Sequence, residues 1–129
     1  MHEPDDQLDA LARSVIGAAI EVHRELGPGF LESVYEEALA VEMGLRRIPF
    51  VRQPLVEVRF KGTRVGEGRL DFLVAQRLVV EIKAVSAIHP IHRAQVIAYL
   101  KAVGTPLGLL LNFNSVLMKG GIERIIRSE

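Results

Sequence analysis

The sequence predicts an α/β fold, with helices packed on a mixed β-sheet. Three observations predict it. Apolar residues recur at spacings near 3.6 through most of the first 45 positions and again from Ile91 to Val103. In the segments between, and again from Leu107, they alternate with polar residues or run together over short stretches that suit strands. Gly27-Pro28-Gly29, Gly44, Pro90 and Gly104 stand where the period changes, as helix stops and starts should. The chain of 129 residues shows no internal repeat, low-complexity tract or linker, so one domain over residues 1–129 is expected.

The first helix is expected from Gln7 to Leu26, where Leu8, Leu11, Ala12, Val15, Ala19, Ile20 and Val22 recur and Asp5 or Asp6 can cap. Gly27 tolerates a left-handed turn and Pro28 cannot continue a helix, so it stops there. A second helix is expected from Phe30 to Met43, with Leu31, Val34, Tyr35, Ala38 and Leu39 turned inward. Val56, Val58 and Phe60 then alternate with Glu57 and Arg59, the period of a half-buried strand. Lys61-Gly62-Thr63-Arg64 reads as a turn, followed by strands from Gly66 to Val74 and from Leu78 to Lys83. A helix from Ile91 to Val103, an apolar and therefore central strand from Leu107 to Phe113, and a short strand from Ile122 to Ile126 complete the order α-α-β-β-β-α-β-(β).

Composition excludes several classes. The longest apolar run, Leu107 to Leu111, is far too short to span a bilayer, so no membrane partner is expected. The acidic start (Glu3, Asp5, Asp6, Asp9) is unlike a secretory signal, and the lack of cysteine removes disulfides and thiolate metal sites. A cytoplasmic setting is expected. The formal charge is zero, but residues 1–45 stand at −8 and residues 46–129 at +8. A basic face, not the average, would attract nucleic acid. The acidic first helix would repel a duplex or serve as an oligomer interface, and a homodimer is compatible with it.

The chemistry concentrates on Leu78-Val79-Val80-Glu81-Ile82-Lys83. Strand alternation puts Val79, Glu81 and Lys83 on one side, so a carboxylate and an ammonium project together at a strand end. If the preceding strand pairs with this one, Asp71 lies beside Glu81. Two carboxylates there suit a hard divalent cation, Mg²⁺ or Mn²⁺. Together with a lysine, they are the parts that phosphodiester hydrolysis needs. The competing reading is a structural Glu–Lys pair on a solvated strand face. His89 and His92, three apart, form half of a zinc site with no evident third ligand. Gly66-Glu67-Gly68 lacks the third glycine and following helix of a dinucleotide loop and reads as strand or bulge.

Asp71 followed by Glu81-Ile82-Lys83 resembles the bipartite motif of the PD-(D/E)xK nuclease superfamily, which includes restriction endonucleases, lambda exonuclease and RecB-type nucleases. The expected element order matches that superfamily's restriction-endonuclease-like core. Gly29-Phe30-Leu31-Glu32-Ser33-Val34-Tyr35 resembles the signature of the bacterial GxxExxY proteins, and the likeness extends over most of the chain. It departs from the superfamily pattern at Leu70, where a proline often precedes the aspartate. The resemblance implies that Asp71 and Glu81, the Ile82 carbonyl and Glu32 hold Mg²⁺ or Mn²⁺. It further implies that Lys83 positions the attacking water and that Gln95 supports Lys83 or that water. Gln95 and Tyr99 resemble the Gln-x-x-x-Tyr element of RecB-like nucleases, with His92 on the same helical stripe and Tyr99 near nucleic acid. Without the resemblance, Glu32 reads as an ordinary N-terminal helix acid and Gln95 and Tyr99 as a polar helix edge.

Two functions follow. The first is a metal-dependent nuclease, with DNA expected rather than RNA, in which a cationic strip of Arg46, Arg47, Arg52, Arg59, Lys61, Arg64 and Arg69 contacts phosphates. The second is a nuclease-fold module that binds nucleic acid or assembles with protein and performs no hydrolysis.

Overall fold

A computed structural model describes residues 4–127; Glu3 of the acidic start lies outside them. Helix α1 (Asp6–Leu26) begins at Asp5, whose carboxylate accepts the Leu8 N–H at 2.8 Å, and stops at Gly27 with φ of 69°. Helix α2 (Glu32–Leu45) lies beside it. Strand β1 (Phe50–Arg52) is followed by the hairpin of β2 (Leu55–Phe60) and β3 (Thr63–Arg69). Then come β4 (Phe72–Val74), β5 (Leu78–Lys83), α3 (Pro90–Val103), β6 (Leu107–Asn112), a short 3-10 turn and β7 (Ile122–Ile126). The main sheet runs β1-β4-β5-β6-β7 and is mixed: β5 and β6 are parallel and the other neighbours antiparallel.

The α/β class with a mixed sheet is as the periods predicted. Two differences concern strands. The expected strand from Gly66 to Val74 is two strands in two sheets. The chain leaves the hairpin at Leu70, whose N–H reaches the Pro54 carbonyl at 3.2 Å, and enters the main sheet at Asp71, whose carbonyl accepts the Gln53 N–H at 2.9 Å. Strand β1 went unread because three residues between Pro49 and Pro54 are too few to show a period.

The two faces of the sheet bury different partners. Leu78, Val80 and Ile82 of β5 join the large cluster with Val15, Tyr35 and Leu39 of α1 and α2. Val79 joins a smaller cluster with Val96 and Leu100 of α3. Close approach of α3 depends on Gly108: a Cβ there would stand 2.9 Å from Val96 Cγ1. Helix α2 corrects a further expectation. Leu31 and Val34 are not inward but 77% and 37% exposed, and the buried positions are Tyr35, Glu36, Leu39 and Met43. The helix carries two apolar stripes and can press only one against the sheet.

Candidate active site

Asp71 and Glu81 face each other at the end of the β4–β5 ladder, one step beyond the Phe72–Val80 pair. Their side chains replace the next ladder bonds. The Asp71 N–H donates to Glu81 Oε2 at 2.6 Å, and the Ile82 N–H donates to Asp71 Oδ2 at 2.7 Å. Each carboxylate is thereby held by the other's strand. Glu81 is only 4% exposed and Asp71 is half-buried. Glu81 and Lys83 project on the Val79 side of β5, toward α3.

The electrostatics follow from that burial. Loss of water pushes Glu81 up to about 8, and the adjacent Asp71 charge adds to the shift, while the Asp71 N–H and Lys83 oppose it. Burial likewise pushes Asp71 up to about 6, aided by the charges of Glu36 and Glu32 and opposed by the Ile82 N–H and Lys83. Glu32, at the first turn of α2, is therefore within electrostatic reach of both carboxylates. Among the described residues no three His, Asp or Glu side chains gather closely enough to hold a metal ion, and Glu32 reaches the pair through its charge. The pair still fits a hard cation: buried Glu81 and half-buried Asp71 each have one oxygen held by a backbone N–H, and a bound cation would offset the cost of ionising them there. Mg²⁺ or Mn²⁺ accepts such oxygen donors and completes its shell with water or substrate oxygens.

Tyr35, the last residue of the Gly29–Tyr35 signature, has a structural task. Its hydroxyl donates to the Gly27 carbonyl at 2.6 Å and accepts the Phe30 N–H at 3.1 Å, and its ring stacks on Phe113 at 4.8 Å. It thus fixes the loop that delivers Glu32 to the sheet end. On α3, Gln95 Nε2 donates to the Tyr99 hydroxyl at 3.3 Å. Tyr99 is raised above its ordinary value by burial and by the Glu81 and Asp71 charges, which puts it on the rim of the site. Its ring occupies the space beside Gly68, where a Cβ would stand 2.8 Å from Tyr99 Cε1. The Gly66–Gly68 run therefore belongs to β3, and Gly68 is a seat for the tyrosine. His92 also serves the helix start: its Nδ1 accepts the His89 N–H at 3.0 Å.

Sequence reasoning missed two groups. Buried Glu36, one turn beyond Glu32, is bound by Arg52 at 2.6 Å and by Gln53 at 3.0 Å. Those partners lie 16 and 17 residues away, a distance at which no local pattern speaks. Asn112, buried at the end of β6, accepts the Val85 N–H at 3.1 Å and donates to the Val85 carbonyl at 2.9 Å, pinning the chain just after Lys83. A polar residue closing the most apolar strand was the available signal.

The cationic strip is not a continuous basic surface. Arg46 pairs with Glu42, Arg52 with Glu36 and Glu37, Arg59 with Glu57, and Arg64 with Glu57 and Glu67. Lys61 lies over the Phe60 ring. Arg69, two residues before Asp71, reaches Gln53 at 3.4 Å and is the base of the strip closest in sequence to the pair.

A family model described as the PD-(D/E)XK nuclease superfamily matches residues 9–125. No curated protein matches the sequence closely enough to serve as a relative. No helix among the described residues is long and apolar enough to cross a membrane.

Proposed function

We propose, from the premise that the chain belongs to the PD-(D/E)XK nuclease superfamily, that residues 1–129 act as one divalent-metal-dependent nuclease domain cleaving phosphodiester bonds, in DNA rather than RNA. The observation that carries this reading is the reciprocal lock of Asp71 and Glu81, two carboxylates held in place although burial makes both costly to ionise. A purely structural strand end has no use for that arrangement. The Gly29–Tyr35 signature supports placement among the GxxExxY proteins.

In this reading Asp71, Glu81 and the Ile82 carbonyl hold Mg²⁺ or Mn²⁺, and Glu32 adds negative charge at the rim. The bound ion would neutralise phosphate charge and acidify a water. Lys83, on the Glu81 side of β5, orients the attacking water or stabilises charge that develops on the phosphate. Gln95 holds the Tyr99 hydroxyl, and Tyr99 with His92 and Arg69 lines the approach of the nucleic acid. Arg59, Lys61 and Arg64, on the hairpin, are secondary phosphate contacts, two of them already matched to acids.

A cleavage screen over single- and double-stranded DNA and RNA with Mn²⁺, beside Asp71→Ala, tests the proposal. Metal-dependent cleavage that Asp71→Ala abolishes supports it. Nucleic-acid binding with no cleavage of any substrate would favour the binding-module reading instead.

A further inference from the structure

Contacts from three parts of the chain meet on Gln53, which stands between β1 and the hairpin. Its N–H donates to the Asp71 carbonyl at 2.9 Å, one rung beyond the Arg52–Phe72 pair that ends the β1–β4 ladder. Its side-chain Nε2 donates to Glu36 of α2 at 3.0 Å, and its Oε1 accepts from Arg69, two residues before Asp71, at 3.4 Å. Both ends of the amide are therefore used. The backbone of Gln53 is left-handed, with φ of 52°, a conformation that a residue with a Cβ adopts only at a cost. Pro54 follows and offers no N–H. At this kink β1 gives way to the hairpin, and Leu70 and Asp71 make the return passage directly opposite. Glycine would suit that backbone better, but it has no amide to offer Glu36. Gln53 is exposed, so burial does not explain the choice either.

We infer that Gln53 is a positioning residue of the candidate site, holding the corner that carries Asp71 against the helix that carries Glu32. Glu36 stands one helical turn after Glu32, so a bond to Glu36 also sets where Glu32 stands relative to Asp71. The backbone rung and the side-chain bonds leave from one residue, which keeps helix and strand end from shifting independently. Arg52 reinforces the joint from the neighbouring position, binding Glu36 at 2.6 Å and Glu37 at 3.1 Å. Placement matters here because the charges of Glu36 and Glu32 both act on Asp71, and that interaction changes steeply with distance in a partly buried site. That Asp71 holds a metal rests on the nuclease reading; that Gln53 places Asp71 does not.

Gln53→Gly removes the amide and suits the left-handed backbone, so the fold and its melting temperature should hold or rise. Amide hydrogen exchange of the metal-free protein reads the placement. The Asp71 and Ile82 N–H groups, which bind the Glu81 and Asp71 carboxylates, should exchange about tenfold faster than in wild type, while Leu109 of central β6 keeps its rate. Mn²⁺ affinity by calorimetry should fall about 10–100-fold, as it typically does when the support of a metal ligand is removed. Gln53→Glu sets a second carboxylate beside Glu36 and should speed the same two amides. Adding Glu36→Gln exchanges donor and acceptor and should restore their protection. Amide exchange or Mn²⁺ affinity left unchanged by Gln53→Gly, or failure of Glu36→Gln to rescue Gln53→Glu, would overturn the inference. A wild type that holds no Mn²⁺ would instead sink the nuclease reading, and the amide exchange would then decide the role of Gln53 by itself.

Discussion

Replacing Glu81 with glutamine should stabilise the metal-free protein at high pH and not at low pH. Glu81 ordinarily titrates at 4.5, and burial beside Asp71 pushes it up to about 8. A folded state that binds a proton more tightly than the unfolded chain is most stable below 4.5. It loses that stability as the pH rises through 8, where the buried carboxylate must ionise. At about 1.4 kcal/mol per tenfold change in proton affinity, the gap amounts to about 5 kcal/mol. Glutamine keeps an oxygen to accept the Asp71 N–H but brings an amide NH₂ with no partner in the wild-type arrangement, an offset of about 1–3 kcal/mol. The net expectation is a gain of about 2–4 kcal/mol at pH 8.5, or roughly 6–16 °C in melting temperature, with little or no gain at pH 5. Melts by circular dichroism in EDTA at both pH values provide the comparison. Added Mn²⁺ should then raise the melting temperature of the wild type more at pH 8.5 than at pH 5, and that of Glu81→Gln much less at either. A glutamine variant destabilised equally at both pH values would refute the reasoning, because Glu81 would then act as a satisfied structural acceptor.

Lys83→Ala should lower single-turnover cleavage about 10²–10³-fold while nucleic-acid binding in Ca²⁺ changes little; an unchanged rate removes Lys83 from the chemistry. Gly68→Ala should displace the Tyr99 ring, lowering stability by about 1–2 kcal/mol in a urea titration and cleavage with it. In contrast, Tyr99→Phe keeps the ring and should keep the stability. Asn112→Leu leaves the Val85 N–H and carbonyl without their partners and should cost about 2–4 kcal/mol. Hydrogen exchange at the Val85 amide would show whether the loss is local to the segment after Lys83.

The central pair was legible because strand alternation is a strict rule: once β4 and β5 pair antiparallel around Phe72 and Val80, Asp71 must meet Glu81. The helices were legible for a similar reason, since Asp5, Gly27, Pro90 and Gly104 act on their own neighbours. What escaped depends on partners far along the chain. The break at Leu70 is set by Pro54 and Gln53, and Glu36 is tolerated in the interior because Arg52 and Gln53 reach it. On α2 the pattern was ambiguous, since both stripes are apolar and only the packed fold decides which one is covered.

The split of charge between the two parts of the chain finds its use in this long-range pairing. Arg52 reaches Glu36 and Glu37, Arg77 reaches Asp5, and Arg124 reaches Asp9, so bases from the later segment tie down acids of the earlier one. The exposed pairs among them contribute little stability one by one. Their collective effect is to use up much of the basic surface that the sequence seemed to offer to nucleic acid. Glu32 and Asp71 meanwhile lie at one end of the sheet beside Glu81, where they would repel an approaching phosphate. Attraction must therefore come from the few cations beside the pair, Lys83 and Arg69, and from whatever cation the pair itself holds. On the proposed nuclease reading, metal binding would then control access of the substrate as well as its cleavage, because the same acids that are costly to ionise without a cation would hold one.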